Sequence, residues 1–214
     1  MTIAIPRLDR STSADRGLTI ADFFVPIGVS ERVNARVRDV ALVVAGALFI
    51  YLTARVSIPV PGSPIPITGQ TFGVLLVGGA LGLRRGSVAV ALYVLLGVVG
   101  LPFFAEGKGG LSVLWGARGG YLIGFVVAAA VVGRLAELGW DRRIGGAIGA
   151  MFVGSVIIYG IGLPWLMVVT GSPLEETIAD ELMPFLFWDA VMLVLAAALF
   201  PVAWWVVGRR PDDR

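Results

Sequence analysis

Pro64-Ile-Pro-Ile-Thr-Gly-Gln-Thr-Phe-Gly-Val-Leu-Leu76 is a proline- and glycine-rich joint that runs directly into an apolar segment. Thr68, Gln70 and Thr71 carry uncharged hydrogen-bonding groups into that segment. Two further joints follow, Gly100-Leu-Pro-Phe-Phe-Ala-Glu-Gly-Lys-Gly-Gly110 and Gly116-Ala-Arg-Gly-Gly-Tyr-Leu-Ile-Gly-Phe125. At membrane depth, non-helical backbone is tolerated only where protein buries it or where it lines a cavity. Joints of this kind between long apolar runs indicate a site, so the chain reads as a membrane-embedded protein that binds a small molecule.

Composition supports the membrane assignment. Of 214 residues, 57% are hydrophobic and 15% charged, against about 25% charged in a typical soluble domain. The chain has no Cys and no His, which removes disulfides, thiol nucleophiles, imidazole catalysis and His-based metal sites. No cofactor is expected. The net charge of +2 makes nucleic acid a poor partner. Residues 1–35 mix Asp9, Asp15, Asp22 and Glu31 with arginines and show no signal-peptide pattern.

Six apolar segments stand out: residues 37–56, 67–83, 87–101, 119–138, 144–169 and 184–207. A spanning helix needs about 20 apolar residues. The second and third fall short, so a tilted, broken or partly inserted segment is expected there. The expected fold is an all-α bundle of six transmembrane helices over residues 36–208. A polar cytoplasmic tail, residues 1–35, precedes it, and a short cytoplasmic tail, 209–214, follows.

Arginine placement orients the bundle. With the N-terminus inside, one side carries Arg32, Arg36, Arg38, Arg84, Arg85, Arg134, Arg142, Arg143, Arg209, Arg210 and Arg214. The other side keeps Arg55, Lys108 and Arg118 with Glu106, Glu175, Glu176, Asp180 and Glu181. The positive-inside rule then places both termini in the cytoplasm and turns the long joints outward.

Candidate site residues each have a plainer reading beside the functional one. Asp189 lies in the apolar run 185–192, where an ionised carboxylate costs about 3 kcal/mol or more and normally has a partner or a task. The plainer reading puts it in the first turn of its helix, stabilised by the helix dipole. Gln70, Thr68 and Thr71 serve either as interhelical hydrogen bonds or as ligand contacts. Lys108, the only lysine, sits in a Gly-flanked loop beside Glu106, where it is either a lid cation or a solvated charge. Arg118 either meets an anionic ligand group or snorkels to the interface. Small residues at four-residue spacing, Gly69/Gly73, Gly78/Gly82, Gly116/Gly120/Gly124 and Gly145/Gly149, suit close helix packing within the bundle. Ala41/Ala45 suits docking of a partner helix equally well. Gly107-Lys108 lacks the upstream glycine and following hydroxyl of a phosphate loop, so ATP binding of that type is excluded.

Taken together, Pro64–Phe72, Gly97-Val-Val-Gly-Leu-Pro-Phe-Phe-Ala105 and Gly116–Phe125 resemble the BioY family, the biotin-binding membrane subunits (S components) of energy-coupling factor transporters. The resemblance covers roughly residues 36–201. It implies a six-helix subunit of the bacterial plasma membrane that captures biotin from outside, with no enzymatic activity of its own. It also implies partners: a transmembrane coupling subunit, met by small residues on the first helix (Ala41/Ala45 here), and two cytoplasmic ATPases. Two departures stand out. The family pattern Gly-Asp followed by Lys three residues later is Trp188-Asp189 followed by Met192, and Pro-Thr before Gly-Gly-Tyr is Ala117-Arg118. Losing a charged hydrogen bond costs roughly 1.5–3 kcal/mol. Either the cation has moved to Lys108 or Arg118, or the ligand has changed.

The resulting expectation is a biotin-capture subunit. Asp189 accepts from the ureido N–H groups, Arg118 or Lys108 holds the carboxylate, and Tyr121, Trp115 and Trp188 wall the ring, with Gln70 adding a polar contact. The loop 102–118 forms a lid. The rivals are an S component for another vitamin, a membrane enzyme and a purely structural subunit.

Overall fold

The computed structural model describes residues 19–21, 32–60 and 62–208. In chain order the elements are α1 (Arg32–Ala54), β1 (Ser57–Ile58), β2 (Ile67–Thr68), α2 (Gln70–Val98), α3 (Leu111–Trp115), α4 (Gly119–Glu137), α5 (Ile144–Thr170), α6 (Leu174–Thr177) and α7 (Met183–Gly208). Short 3-10 turns at Ala105–Gly107 and Trp140–Arg142 and a π turn at Ile178–Leu182 join them. Among the described residues five helices, α1, α2, α4, α5 and α7, are long and apolar enough to cross a membrane. The expected all-α membrane bundle is present.

The two short apolar segments are joined in α2, which is not a rod. Gly82 takes φ 82° and ψ −179°, a conformation closed to residues with a Cβ, and the chain folds back there. A Cβ on Gly86 would sit 2.9 Å from the Gly78 Cα, so the two arms touch through bare backbone. Gln70 and Tyr93, 12 residues before and 11 after Gly82, hydrogen bond at 2.6 Å. A straight helix would hold them about 34 Å apart at 1.5 Å per residue. Residues 70–81 and 83–98 are therefore an antiparallel hairpin with arms of roughly 18 and 24 Å. The reversal falls at Gly82, ahead of the Arg84-Arg85-Gly86 joint expected from sequence. Glycine's φ freedom permits the turn, and both arginines belong to the return arm.

Close approach organises the remaining helices. A Cβ on Gly133 of α4 would lie 2.5–2.7 Å from the Gly82–Leu83 backbone, and one on Gly78 would meet the Ala129 backbone at 2.9 Å. Gly124 meets the Ile158 backbone, and Gly120 the Trp165 side chain, of α5. These glycines pack the bundle internally, whereas a Cβ on Gly145 would meet nothing within 4 Å. Ala47, Ile50, Val74, Val90, Tyr93, Ala128, Ala129, Val132, Ile158, Ala197 and Phe200 form the buried centre.

The bundle has two chemically distinct ends. At the arginine end Thr19, Ile20 and Ala21 are buried, with Thr19 Oγ1 accepting from Arg85 Nη2 at 3.2 Å. This part of the N-terminal segment packs into the bundle. Asp141 is buried there too and accepts from Trp204 Nε1 at 2.8 Å. At the opposite end, the antiparallel pair Ser57↔Thr68 and Ile58↔Ile67 forms the stem of the 57–68 loop. The long joint 99–118 closes over the same end.

Candidate ligand-binding site

One cavity lies beneath the two joints. The 57–68 loop contributes Ile65, Pro66 and Thr68, and the start of α2 contributes Gln70 and Thr71. Phe104, Ala105 and Val113 come from the long joint. Arg118, Tyr121, Leu122 and Phe125 come from the start of α4, Ile158 and Tyr159 from α5, and Phe185 and Asp189 from α7. About 590 Å³ of space lies between these walls, counted out to the open mouth. The lining is mostly aromatic and aliphatic with a few convergent polar groups, the usual character of a small-molecule site.

Asp189 is the buried carboxylate of this cavity. It is not in the first turn of its helix. Helical dihedrals run without a break from α6 through the π turn into α7, with Ile178 at φ −68°, ψ −44° and Met183 at φ −60°, ψ −45°. The helix-dipole explanation therefore has no free N-terminus to act through. The Tyr159 hydroxyl donates to Asp189 Oδ2 instead. Tyr159 in turn meets Tyr121 edge-on, with ring centroids 6.2 Å apart and planes at 88°. Sequence reading missed Tyr159, because a tyrosine in an apolar helix is indistinguishable from core until its hydroxyl finds a partner. Phe125 and Phe185 escaped notice for the same reason.

Arg118 stands at the junction of both joints. Its Nη2 donates to Glu106 Oε2 at 2.6 Å and to the Pro64 carbonyl at 3.3 Å, while Nη1 donates to the Ala105 carbonyl at 3.4 Å. It ties the long joint to the 57–68 loop. Burial adds little at Glu106, and the hydrogen bond from Arg118, then that from Lys108, holds its carboxyl below the usual carboxylate range.

Gln70 is also structural in part. Its Nε2 donates to Tyr93 Oη, its Oε1 accepts from Thr68 Oγ1 at 3.1 Å, and Tyr93 Oη donates to the Phe103 carbonyl at 3.2 Å. This chain of bonds positions the joint above the cavity while Gln70 still faces it.

Of the other expected site residues, Lys108, Trp115 and Trp188 do not line the cavity. Lys108 is exposed and pairs with Glu106 at 3.0 Å. Trp115 is exposed and stacks on Trp165 at 6.3 Å, and Trp165 Nε1 anchors the Gly116 carbonyl at 3.0 Å. Trp188 is one residue from Asp189, and a helix turns successive side chains about 100° apart. Its Nε1 is buried with no hydrogen-bond partner. Of the two candidate replacement cations, only Arg118 reaches the cavity wall.

Ala41 and Ala45 do not line the cavity and lie on an uncovered stripe of α1. Both are exposed, in register with Val37, Val40, Val44, Leu48 and Leu52. The opposite face of α1, with Ala47, Ile50 and Ala54, is buried against the bundle.

A helical membrane bundle with a capped, mostly apolar cavity, one buried carboxylate and one arginine is a membrane small-molecule-binding protein of the transporter-subunit class. The BioY family model matches residues 29–209, and the chain belongs to the BioY family. The biotin transporter BioY of Thermotoga maritima is 38% identical over 162 residues, spanning 74% of this chain and 92% of that protein. The biotin transporter BioY of Rhodobacter capsulatus is 37% identical over 171 residues, 74% of this chain and 88% of that one. A crystal structure at 2.1 Å of the S-component for biotin from an ECF-type ABC transporter matches with a TM-score of 0.73 at 25% identity. That match covers 80% of this chain and 93% of the other.

Proposed function

We propose that this chain is the biotin-capture subunit of an energy-coupling factor transporter and holds biotin in the cavity beneath the 57–68 and 99–118 joints. One observation carries the reading. A single cavity combines a buried carboxylate, Asp189, with an arginine, Arg118, and aromatic walls at Tyr121, Phe125, Tyr159 and Phe185. Biotin presents the complementary set: two ureido N–H donors, an apolar bicycle and a carboxylate. Asp189 accepts from the ureido group, its second oxygen lying clear of the Tyr159 hydroxyl. Arg118 takes over the carboxylate-binding role of the lysine replaced by Met192, and Lys108 contributes to the charge around it.

The chain works as a carrier subunit with no catalysis of its own. Biotin is its transported ligand, with no separate cofactor. The exposed stripe of α1 around Ala41 and Ala45 docks a transmembrane coupling subunit, which two cytoplasmic ATPases drive. The arginine-rich end faces the cytoplasm, with both termini, and the cavity opens outward in the bacterial plasma membrane. Residues 36–208 form the membrane domain, flanked by tails 1–35 and 209–214, whose residues other than 19–21 and 32–35 lie outside the described residues.

The test is isothermal titration of detergent-purified, biotin-depleted protein with biotin, with thiamine and riboflavin as controls. One-to-one, nanomolar binding of biotin alone is expected. Binding of another heterocycle in place of biotin would transfer the function to that ligand.

A further inference from the structure

The Arg118 guanidinium is already occupied by a carboxylate that belongs to the protein. Its Nη2 carries two hydrogens and meets two acceptors, Glu106 Oε2 at 2.6 Å and the Pro64 carbonyl at 3.3 Å. A carboxylate grips a guanidinium bidentately either end-on, through both Nη atoms, or side-on, through Nε and Nη2. Both arrangements need Nη2. With Nη2 committed, a ligand carboxylate finds no complete fork on Arg118, and the single-point contacts left are the weaker kind.

Glu106 holds this position in an unfavourable backbone state. Its φ of 61° makes it the only non-glycine residue with positive φ among the described residues. That region is sparsely populated by residues with a Cβ. Its neighbours brace it there: Gly107 N donates to the Phe104 carbonyl at 3.1 Å, and Phe104 N to the Lys108 carbonyl at 3.0 Å. Lys108 Nζ lies 3.0 Å from the same Oε2 and is half exposed, so Glu106 keeps a counter-ion if it swings away from Arg118.

We propose that Glu106 is a specificity determinant of this site, an internal carboxylate that a ligand carboxylate must displace from Arg118 before the long joint settles on the ligand. This inference rests on the binding mode proposed above. Displacement passes Glu106 to Lys108 and frees the Nη2 fork. The energy of the exchange is subtracted from the affinity for carboxylate-bearing ligands and leaves neutral ligands untouched. The pair thus sets how strongly the site discriminates biotin from an uncharged analogue.

The test is titration of the full chain and its Glu106→Gln and Glu106→Ala variants with biotin and with biotinamide, which has the same ring and no charge. Biotin affinity is expected to rise about tenfold in both variants, the scale of one charged hydrogen bond, with biotinamide unchanged. Equal changes for the two ligands, or weaker biotin binding, would overturn the competition. Absence of both ligands from the wild-type protein would instead refute the biotin reading itself. Melting temperatures of the variants separate a folding defect from either result.

Discussion

Arg118 and Glu106 are joined at 2.6 Å above the cavity, and the same guanidinium reaches the Pro64 carbonyl on the other joint. One side chain therefore both ties the two joints together and supplies a cation to the cavity wall. Arg118→Met is expected to weaken biotin binding by about 10- to 100-fold, one or two charged hydrogen bonds, while biotinamide loses much less. Titration with both ligands reads the difference. Equal losses would show that Arg118 acts through loop closure alone.

Asp189 and Tyr159 form the deep polar pair. Asp189→Asn removes the charge and one acceptor oxygen of the carboxylate proposed to meet the ureido N–H groups, so affinity is expected to fall about 10- to 100-fold. Tyr159→Phe leaves the carboxylate in place and costs a smaller factor. If Asp189→Asn lowered the melting temperature steeply without a separate loss of affinity, the carboxylate would be structural.

Gly82→Ala tests the hairpin. The new Cβ would meet Thr19 Cγ2 at 2.8 Å and Glu137 Oε1 at 2.9 Å, and φ 82° is strained for any residue but glycine. A loss of about 1–3 kcal/mol is expected. Thermal unfolding in detergent measures it, and an unchanged midpoint would contradict the fold-back geometry.

Asp141 gives a pH signature at the arginine end. Burial, partly offset by the Trp204 indole N–H and Arg142, raises its carboxyl from 3.8 to about 6. The folded state then binds its proton more tightly than the unfolded chain. This contribution to stability is full below about pH 4 and is lost as the pH rises through about 6. Asp141→Asn keeps an acceptor for Trp204 and removes the ionisation, so stability at pH 8 should rise by about 1–2 kcal/mol. The dependence between pH 4 and 6 should flatten. A variant that loses stability at pH 8 would show that the charge is needed.

Ala45→Trp tests the α1 stripe. A bulky side chain on an exposed small-residue face prevents close helix approach. Co-purification with a coupling subunit and its ATPases should be lost while biotin affinity in the isolated subunit stays the same. Retained assembly would move the docking surface elsewhere.

Much of the fold was legible along the chain because hydrophobic length is a one-dimensional quantity. The apolar runs became α1, α4, α5 and α7, and the shortness of 67–83 and 87–101 marked the place where a tilted, broken or partly inserted segment was expected. The joints around Pro64, Pro102 and Gly116 do cap a cavity, and Asp189, Arg118, Tyr121 and Gln70 do line it. Lys108, Trp115 and Trp188 were expected beside them from proximity in sequence. A loop lysine next to Glu106 is drawn to that acid, and Trp115 finds Trp165 as a stacking partner outside the cavity.

By itself, the sequence determined that this is a helical membrane protein with an asymmetric charge distribution, a few polar groups gathered at Gly/Pro joints and the BioY motif pattern. Those properties reside in composition, segment length and residue order. Only the tertiary structure decided that the chain reverses at Gly82, that Tyr159 holds Asp189, and that Glu106 rather than solvent occupies Arg118. Each of these depends on which groups far apart in sequence come within hydrogen-bonding or van der Waals distance. Helix packing sets that distance through backbone contacts such as Gly78 on Gly86 and Gly133 on Gly82.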